Sequence, residues 1–180
     1  LLGTFDGADY ASGLVLTPSS STSRMLNSLP PKVLAAATAP GATHVYENHV
    51  RGFHPAAFTT DANLNEVFRA PVALDVDKNG VPYVAAIEGV GGLPLFGVQF
   101  HPEKTMAEWD PELAIPHDGE SVLFSQSLAN FFVGEARRSR RSPAMGGYAE
   151  YELVMANYRT TFVGKGGYRG THFDEIYILE

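Results

Sequence analysis

The stretch Leu95-Phe96-Gly97-Val98-Gln99-Phe100-His101-Pro102-Glu103-Lys104 decides how the rest of this chain is interpreted. Its apolar half, bounded by Pro94 and Pro102, predicts a short buried strand, and such a strand carries the residues after it to the rim of a sheet. Pro102 disfavours helical geometry at His101, and the two-residue period of an extended chain predicts that His101 and Glu103 point the same way. An imidazole beside a carboxylate forms the base and orienting acid of a nucleophilic triad.

The same stretch resembles a known catalytic segment. Residues 97–103 (Gly-Val-Gln-Phe-His-Pro-Glu) are similar to the histidine segment of class I glutamine amidotransferase-like enzymes, which hydrolyse glutamine-type amides with a Cys-His-Glu triad. Lys104 follows directly, and Trp109, Ile115-Pro116-His117 and residues 129–137 lie beyond it. Together these features resemble the gamma-glutamyl hydrolase family, and its plant or algal branch most of all.

This resemblance implies both an architecture and a reaction. The implied fold is a three-layer α/β/α sandwich of the class I glutamine amidotransferase-like type, and the implied catalytic residues are His101 and Glu103. The implied substrates are small molecules, folyl or antifolate poly-γ-glutamates, and the reaction needs no organic cofactor or metal. By resemblance the enzyme works in a vacuole, a lysosome or a secreted fluid, and homodimer formation is left open.

Composition sets limits on the class of protein. The chain has 180 residues, 44% of them hydrophobic, which is enough to bury a core in one domain. The formal net charge is −7 and no long basic stripe is present, so we expect no nucleic-acid partner. Hydrophobic segments are short and interrupted, so we expect no membrane partner either.

The chain contains no cysteine. Residues 1–4 (Leu-Leu-Gly-Thr) resemble the family's segment shortly after its nucleophile turn. We therefore expect a C-terminal portion, incomplete at its N-terminus, whose nucleophile lies upstream and which alone does not hydrolyse the substrate. Two alternatives stay open: a homologue without a nucleophile that binds γ-glutamyl compounds or a protein partner, and the glutaminase domain of an amidotransferase. Nothing after Glu135 resembles the synthetase domain that such a glutaminase feeds with ammonia.

Local signals predict the secondary structure. A short helix is expected at residues 24–29, and a second at residues 32–37 that Pro31 opens. Apolar segments at residues 68–75, 81–88 and 95–99 predict antiparallel or mixed strands at one edge of the sheet. The Asn79-Gly80 pair predicts a hairpin between the first two segments.

The clearest helix is predicted over residues 118–138. Asp118 or Ser121 can cap it, and four side chains at helical spacing should face the sheet. These four are Phe124, Leu128, Phe131 and Phe132. The arginines of residues 137–141 are expected to form a solvated helix end. We assign residues 1–142 to the hydrolase domain and residues 143–180 to an extension packed on it, with strand-like pieces at residues 151–158 and 176–179.

Substrate contacts are predicted at the loop that follows a strand at residues 43–47. The loop, residues 48–55, offers Asn48, His49 and Arg51, and the family has an Asn-His pair at the matching place. His54 stands where the family usually has Ser.

The remaining histidines receive a structural interpretation. His44, His54 and His172 are expected to form ordinary hydrogen bonds, while a role for His117 is left open. A metal site that combines His49, His54, His101 and Glu103 is disfavoured, because no zincin-type spacing is present. We therefore predict no metal.

Overall fold

The computed structural model describes residues 2–141, 146–163 and 175–178. It divides the chain into two compact units, Leu1–Arg138 and Ser139–Glu180. The helices and sheets of the first unit confirm the predicted α/β class. The domain assignment, with residues 143–180 packed on the rest, stays a prediction.

Groups of strands and groups of helices follow one another through the first unit. Its strands are β1 (Leu2–Ser12), β2 (Val15–Leu16), β3 (Val45–Phe53), β4 (Ala73–Val76), β5 (Pro82–Glu88) and β6 (Phe96–Val98). Its α-helices are α1 (Arg24–Asn27), α2 (Pro31–Ala37), α3 (Ala57–Thr60), α4 (Ala62–Phe68), α5 (Lys104–Ala107) and α6 (Gly119–Ala136). Short 3-10 turns lie at Pro18–Thr22 and Val90–Gly92. The two short helices predicted early in the chain are confirmed as α1 and α2.

The larger sheet has the strand order β2-β4-β5-β6, and every neighbouring pair in it is antiparallel. Its central hairpin forms at the predicted place. Gly80 has a φ of +79°, which glycine adopts without strain. Asp77 Oδ1 accepts hydrogen bonds from the backbone N–H groups of Asn79 and Val81, at 2.9 and 2.8 Å. Because these contacts join residues close together in the sequence, the sequence predicts the hairpin.

The strand predicted at residues 95–99 is confirmed as β6, an antiparallel strand at the edge of the sheet, but its predicted burial is wrong. β6 has only three residues and, within the described part of the chain, pairs with β5 alone. Leu95 and Val98 are accordingly 45% and 36% exposed. An edge strand has a neighbour on one side only, so its side chains are covered less completely. Full burial begins at Phe100.

The smaller sheet pairs β1 with β3 in antiparallel register. This pairing keeps residues 48–53 extended, so the prediction of a loop directly after residue 47 is wrong. The register shifts twice, on either side of Gly7, which lies opposite His49. A Cβ atom at Gly7 would come within 2.6 Å of His49 Nε2, so the absent side chain makes room for the imidazole ring.

Helix α6 covers the main hydrophobic core. Asp118 caps it by accepting a hydrogen bond from the Ser121 N–H, at 3.0 Å. Phe124 and Leu128 are buried, and the Phe124 ring lies 5.8 Å from the ring of Phe100. Phe132 is 71% exposed, so its predicted place on the core face is wrong. At 100° per residue Phe132 lies about 80° round the helix from Phe124, beyond the covered stripe.

The second unit is described in part. It contains α7 (Gly147–Leu153), a 3-10 turn (Met155–Asn157), β7 (Thr160–Phe162) and β8 (Glu175–Tyr177). The strand predicted at residues 151–158 is wrong, because this segment begins inside a helix rich in strong helix formers such as Ala, Glu and Leu. Residue 179 lies outside the described residues. Over the described ranges, no helix combines the length and the apolar character needed to cross a membrane.

Two phenylalanines on one helix test this account of the core. We expect Phe124→Ala to lower the free energy of unfolding by about 3–5 kcal/mol, because it leaves a cavity between α6 and the sheet. Phe132→Ala is the matched control and should change it by less than about 0.5 kcal/mol. Urea denaturation followed by circular dichroism measures both values, and similar losses in the two variants would contradict the assigned helix face.

Candidate active site

His101 and Glu103 lie side by side at the surface. His101 Nδ1 donates to Glu103 Oε1 at 2.8 Å, with the two side chains 34% and 65% exposed. The prediction that the two-residue strand period brings these two side chains together is wrong. The chain turns at Pro102, and Glu103 adopts helical angles (φ −70°, ψ −29°) directly before α5. The turn folds the carboxylate back onto the imidazole.

The backbone of His101 is held by β3. The His101 N–H donates to the Tyr46 carbonyl oxygen at 2.9 Å, and the two side-chain rings lie 6.3 Å apart. Two residues earlier, the Gln99 N–H donates to the Ala85 carbonyl oxygen on β5, at 2.8 Å. The chain therefore leaves the larger sheet at Gln99 and joins β3 at His101.

Asp9 connects Tyr46 to the segment that follows the site. Its Oδ1 accepts hydrogen bonds from the Tyr46 hydroxyl at 3.0 Å and from the Ala114 N–H at 2.8 Å. Asp9 has a φ of +45°, a conformation that costs energy outside glycine. Burial raises the pKa of Tyr46, and the hydrogen bond to Asp9 and the nearby carboxylates of Glu108 and Asp110 raise it further. The phenol therefore stays protonated and donates.

A lysine places a positive charge over the same residues. Lys104 Nζ forms an ion pair with Glu108 and lies 5.9 Å from the centre of the Tyr46 ring. Cations favour the face of an aromatic ring at this distance. His101, Glu103, Lys104, Tyr46 and Asp9 form a connected group that we call the His101 cluster. No sequence pattern indicated a role for Asp9 or for Tyr46 at this site.

The three predicted substrate contacts do not converge. Asn48 Oδ1 accepts a hydrogen bond from the Asp9 N–H at 3.3 Å, which places Asn48 beside the His101 cluster. Arg51 is exposed and donates to Thr4 Oγ1 at 3.2 Å. The His49 side chain is only 7% exposed. Side chains alternate along a strand, so His49 lies on the face of β3 opposite Tyr46. Substrate contact by these residues stays a prediction.

The other described histidines have local partners. His44 Nδ1 lies 3.1 Å from Ser121 Oγ and 3.2 Å from Asp118 Oδ1. His54 Nδ1 accepts a hydrogen bond from the Ala56 N–H. His172 lies outside the described residues. Where side chains are described, no three His, Asp or Glu residues are grouped closely enough to hold a metal ion.

An open cavity of about 690 Å³ lies elsewhere in the first unit. It is lined by parts of β1, β2 and β4 and by residues 38–42. Neither His101 nor Glu103 lines it. We place the candidate chemistry at the His101 cluster, because the paired base and acid are there.

Known proteins supply an independent comparison. The chain is 35% identical to gamma-glutamyl hydrolase 2 of Arabidopsis thaliana over 139 residues, 75% of the chain and 37% of that protein. It is 30% identical to gamma-glutamyl hydrolase 1 of the same plant over 184 residues, 99% of the chain and 49% of that protein. It is 31% identical to the human gamma-glutamyl hydrolase over 140 residues, 77% of the chain and 42% of that protein.

The chain belongs to the gamma-glutamyl hydrolase family. The predicted resemblance is therefore confirmed at the level of the family. No protein-family model matches the chain. The chain spans less than half the length of the relatives it matches, between 37% and 49% in these three.

The chain also buries a group of acidic side chains that no sequence pattern predicted. Glu47 is fully buried on the inner face of β3, and its Oε2 lies 3.3 Å from His49 Nε2. Asp75 is also buried and accepts a hydrogen bond from the Tyr83 hydroxyl at 3.1 Å. Burial raises the pKa of Glu47 and the pKa of Asp75, and hydrogen bonds only partly oppose this. Tyr10 extends the group through its hydroxyl contact with Tyr83 at 2.8 Å.

The raised pKa of Glu47 gives stability a pH dependence of known sign. A carboxyl whose pKa is raised on folding stabilises the folded state fully at pH values below its unfolded pKa of 4.5. This stabilisation is lost as the pH rises through the pKa of the folded state. We expect Glu47→Gln to raise the free energy of unfolding by about 1–3 kcal/mol at neutral pH, since a neutral amide is cheaper to bury than a carboxylate.

The measurement is denaturant unfolding at a series of pH values, compared with wild type. Below pH 4.5 the advantage of Glu47→Gln should disappear, because both side chains are then neutral. Glu66→Gln, an exposed substitution on α4, is the control and should show no trend. A Glu47→Gln variant that is less stable than wild type at neutral pH would show that Glu47 acts as a paired carboxylate.

Proposed function

We propose that this chain provides the general base and its orienting carboxylate for the hydrolysis of γ-glutamyl amide bonds. The observation that carries the proposal is the 2.8 Å contact between His101 Nδ1 and Glu103 Oε1, in a member of the gamma-glutamyl hydrolase family. Glu103 engages Nδ1, so Nε2 is the ring nitrogen directed to the reaction. The carboxylate also stabilises the imidazolium that forms when Nε2 takes up a proton.

The nucleophile in this proposal is a thiol. None of the 180 residues is cysteine, so the thiol comes from polypeptide other than these residues. His101 removes its proton, and the sulfur attacks the γ-carbonyl carbon of the substrate. The carbon–nitrogen bond breaks, and the imidazolium returns the proton to the departing amine. His101 then deprotonates a water molecule, which hydrolyses the thioester and releases the γ-carboxylate and the thiol.

The proposed substrates are poly-γ-glutamates, including folyl and antifolate forms. Each glutamyl unit carries an α-carboxylate, and the His101 cluster offers Lys104 as a cation. Asn48 lies beside the cluster, and Arg51 and His49 lie further along β3, so these side chains are our candidates for contacts with a longer chain. We place the reaction in a vacuole, a lysosome or the extracellular fluid.

One observation favours a second candidate function. Because the 180 residues lack cysteine, the chain could bind γ-glutamyl compounds without turning them over. This candidate predicts binding by the isolated chain and no gain of activity when a thiol-bearing segment is supplied. The two functions therefore differ in one measurable outcome.

A chimera separates these functions. We expect activity when residues 1–138 replace the matching part of Arabidopsis gamma-glutamyl hydrolase 2, which then provides the rest of the enzyme. The assay is the release of glutamate from γ-glutamylglutamate. His101→Ala in the chimera should reduce kcat by at least about 10³-fold, and Glu103→Gln by about 10²- to 10⁴-fold.

Glu66→Gln in the same chimera is the control and should leave kcat unchanged, because this residue is exposed on α4. A folded chimera without activity would support the binding function. An active chimera that is indifferent to His101→Ala would refute the role of the base. We expect the isolated 180 residues to release no glutamate, and turnover that His101→Ala abolishes would show that the thiol is not required.

A further inference from the structure

A second cavity, of about 320 Å³, lies where β5 ends. Three segments line it: the residues around the start of α1, those around the end of α4, and the glycine-rich turn between β5 and β6. Glu88, which lines the cavity, pairs with Phe96 at the start of β6, and β6 leads from there toward His101. No residue of the His101 cluster lines the cavity. It is therefore separate from the candidate active site.

Arg69 lines this cavity in a strained backbone conformation. Its φ is +57° and its ψ is −63°, and the Ala70 N–H donates to the Phe68 carbonyl oxygen across it, at 2.6 Å. These values describe the rare type of γ-turn with positive φ. Glycine adopts such angles without a steric penalty, whereas a residue with a side chain is strained. Strained residues of this kind are concentrated at sites that bind ligands.

The backbone of Arg69 is anchored, while its side chain is unpaired. The Arg69 N–H donates to the Asn65 carbonyl oxygen at 2.9 Å, and its own carbonyl oxygen accepts from Asn65 Nδ2 at 3.2 Å. Over the ranges that the structure describes, no carboxylate forms an ion pair with its guanidinium. The residue is exposed. Its planar set of N–H donors is therefore available to a ligand.

The other charged residues of the lining are already paired. Arg24 Nε lies 3.4 Å from Glu88 Oε1. Glu88 Oε2 also accepts hydrogen bonds from the Ser23 hydroxyl at 2.7 Å and the Met25 N–H at 3.1 Å. Two arginines and one glutamate give the lining a net charge of +1, in a chain whose formal net charge is −7. The cavity therefore favours an anion.

The glycine-rich turn adds backbone donors. Gly91 has left-handed angles (φ 65°, ψ 19°), and Gly92 has a φ of +80°. In the described structure, no atom beyond their chain neighbours lies within 4 Å of the position that a Cβ would take at either glycine. Among the described residues, the N–H groups of Val90 and Gly91 have no acceptor. Successive N–H groups in turns of this kind form concave sites for anions.

We propose that this cavity binds a phosphoryl group through the Arg69 guanidinium and the N–H groups of the turn at Val90–Gly92. A guanidinium binds two phosphate oxygens with parallel donors, which leaves a third oxygen for the turn. A carboxylate has only two oxygens, so Arg69 alone would satisfy it. The ligand is inorganic phosphate or a small phosphomonoester, because the cavity is at the small end of the range for ligand pockets. The site is independent of the proposed hydrolysis.

Isothermal titration calorimetry of the 180-residue chain tests the site. The probes are inorganic phosphate, glycerol 3-phosphate and succinate, all at the same low ionic strength, because salt screens charge interactions. We expect both phosphates to bind saturably at one site, and at least about ten-fold more tightly than succinate. The tighter of the two phosphate probes identifies the source of the phosphoryl group.

Arg69→Gly separates binding from backbone strain. The variant removes the guanidinium, so the affinity for phosphate should fall at least about ten-fold. It also removes the strained side chain, so the midpoint of urea unfolding should stay the same or rise. Arg69→Lys keeps the charge without the planar donors and should have an intermediate affinity. Arg159→Gln, the control, removes an exposed arginine of the second unit and should leave the affinity and the midpoint unchanged.

The outcomes that would overturn this inference are distinct. Phosphate that does not bind saturably to the wild-type chain, or that binds Arg69→Gly equally well, would exclude the site. Succinate bound as tightly as phosphate would exclude the phosphoryl assignment. A lower unfolding midpoint for Arg69→Gly would show that Arg69 stabilises the fold, contrary to the argument from strain. None of these outcomes affects the proposed function, which depends on His101 and Glu103.

Discussion

One backbone hydrogen bond holds the candidate site together. The His101 N–H donates to the Tyr46 carbonyl oxygen at 2.9 Å, where the chain leaves the four-stranded sheet and meets β3. A backbone amide that did not find this partner would have to be satisfied elsewhere. The bond joins residues 46 and 101, which are 55 positions apart in the sequence. The approach of Tyr46, and through it Asp9, to the imidazole depends on this contact.

β3 separates two different electrostatic environments. Tyr46 lies on the face that meets His101, where a lysine and several carboxylates are partly exposed to water. Glu47 and His49 lie on the opposite face, in an interior where burial disfavours the charged carboxylate. Alternation along an extended strand places neighbouring residues on opposite sides of the sheet. The strained φ of Asp9 is compatible with stability because its carboxylate accepts two hydrogen bonds there.

Local chemistry made part of this structure predictable. The Asn79-Gly80 turn and the Asp118 cap act within four residues, so their signals are complete in the sequence. The proximity of His101 and Glu103 was also expected, although the turn at Pro102 produces it instead of the strand period. The length of β3, the exposure of β6 and the place of Asp9 carried no local signal, because distant partners decide them.

The sequence by itself determined which reactive groups are available: an imidazole with a carboxylate two residues later, and no thiol among the 180 residues. It also determined the helix that Asp118 caps, because capping and helical spacing are short-range properties. The tertiary structure alone decided that His49 turns inward onto the Tyr83 ring and that the Tyr46 ring lies beside His101. Side-chain direction and ring contacts depend on packing between segments far apart in the chain, which a local pattern does not encode.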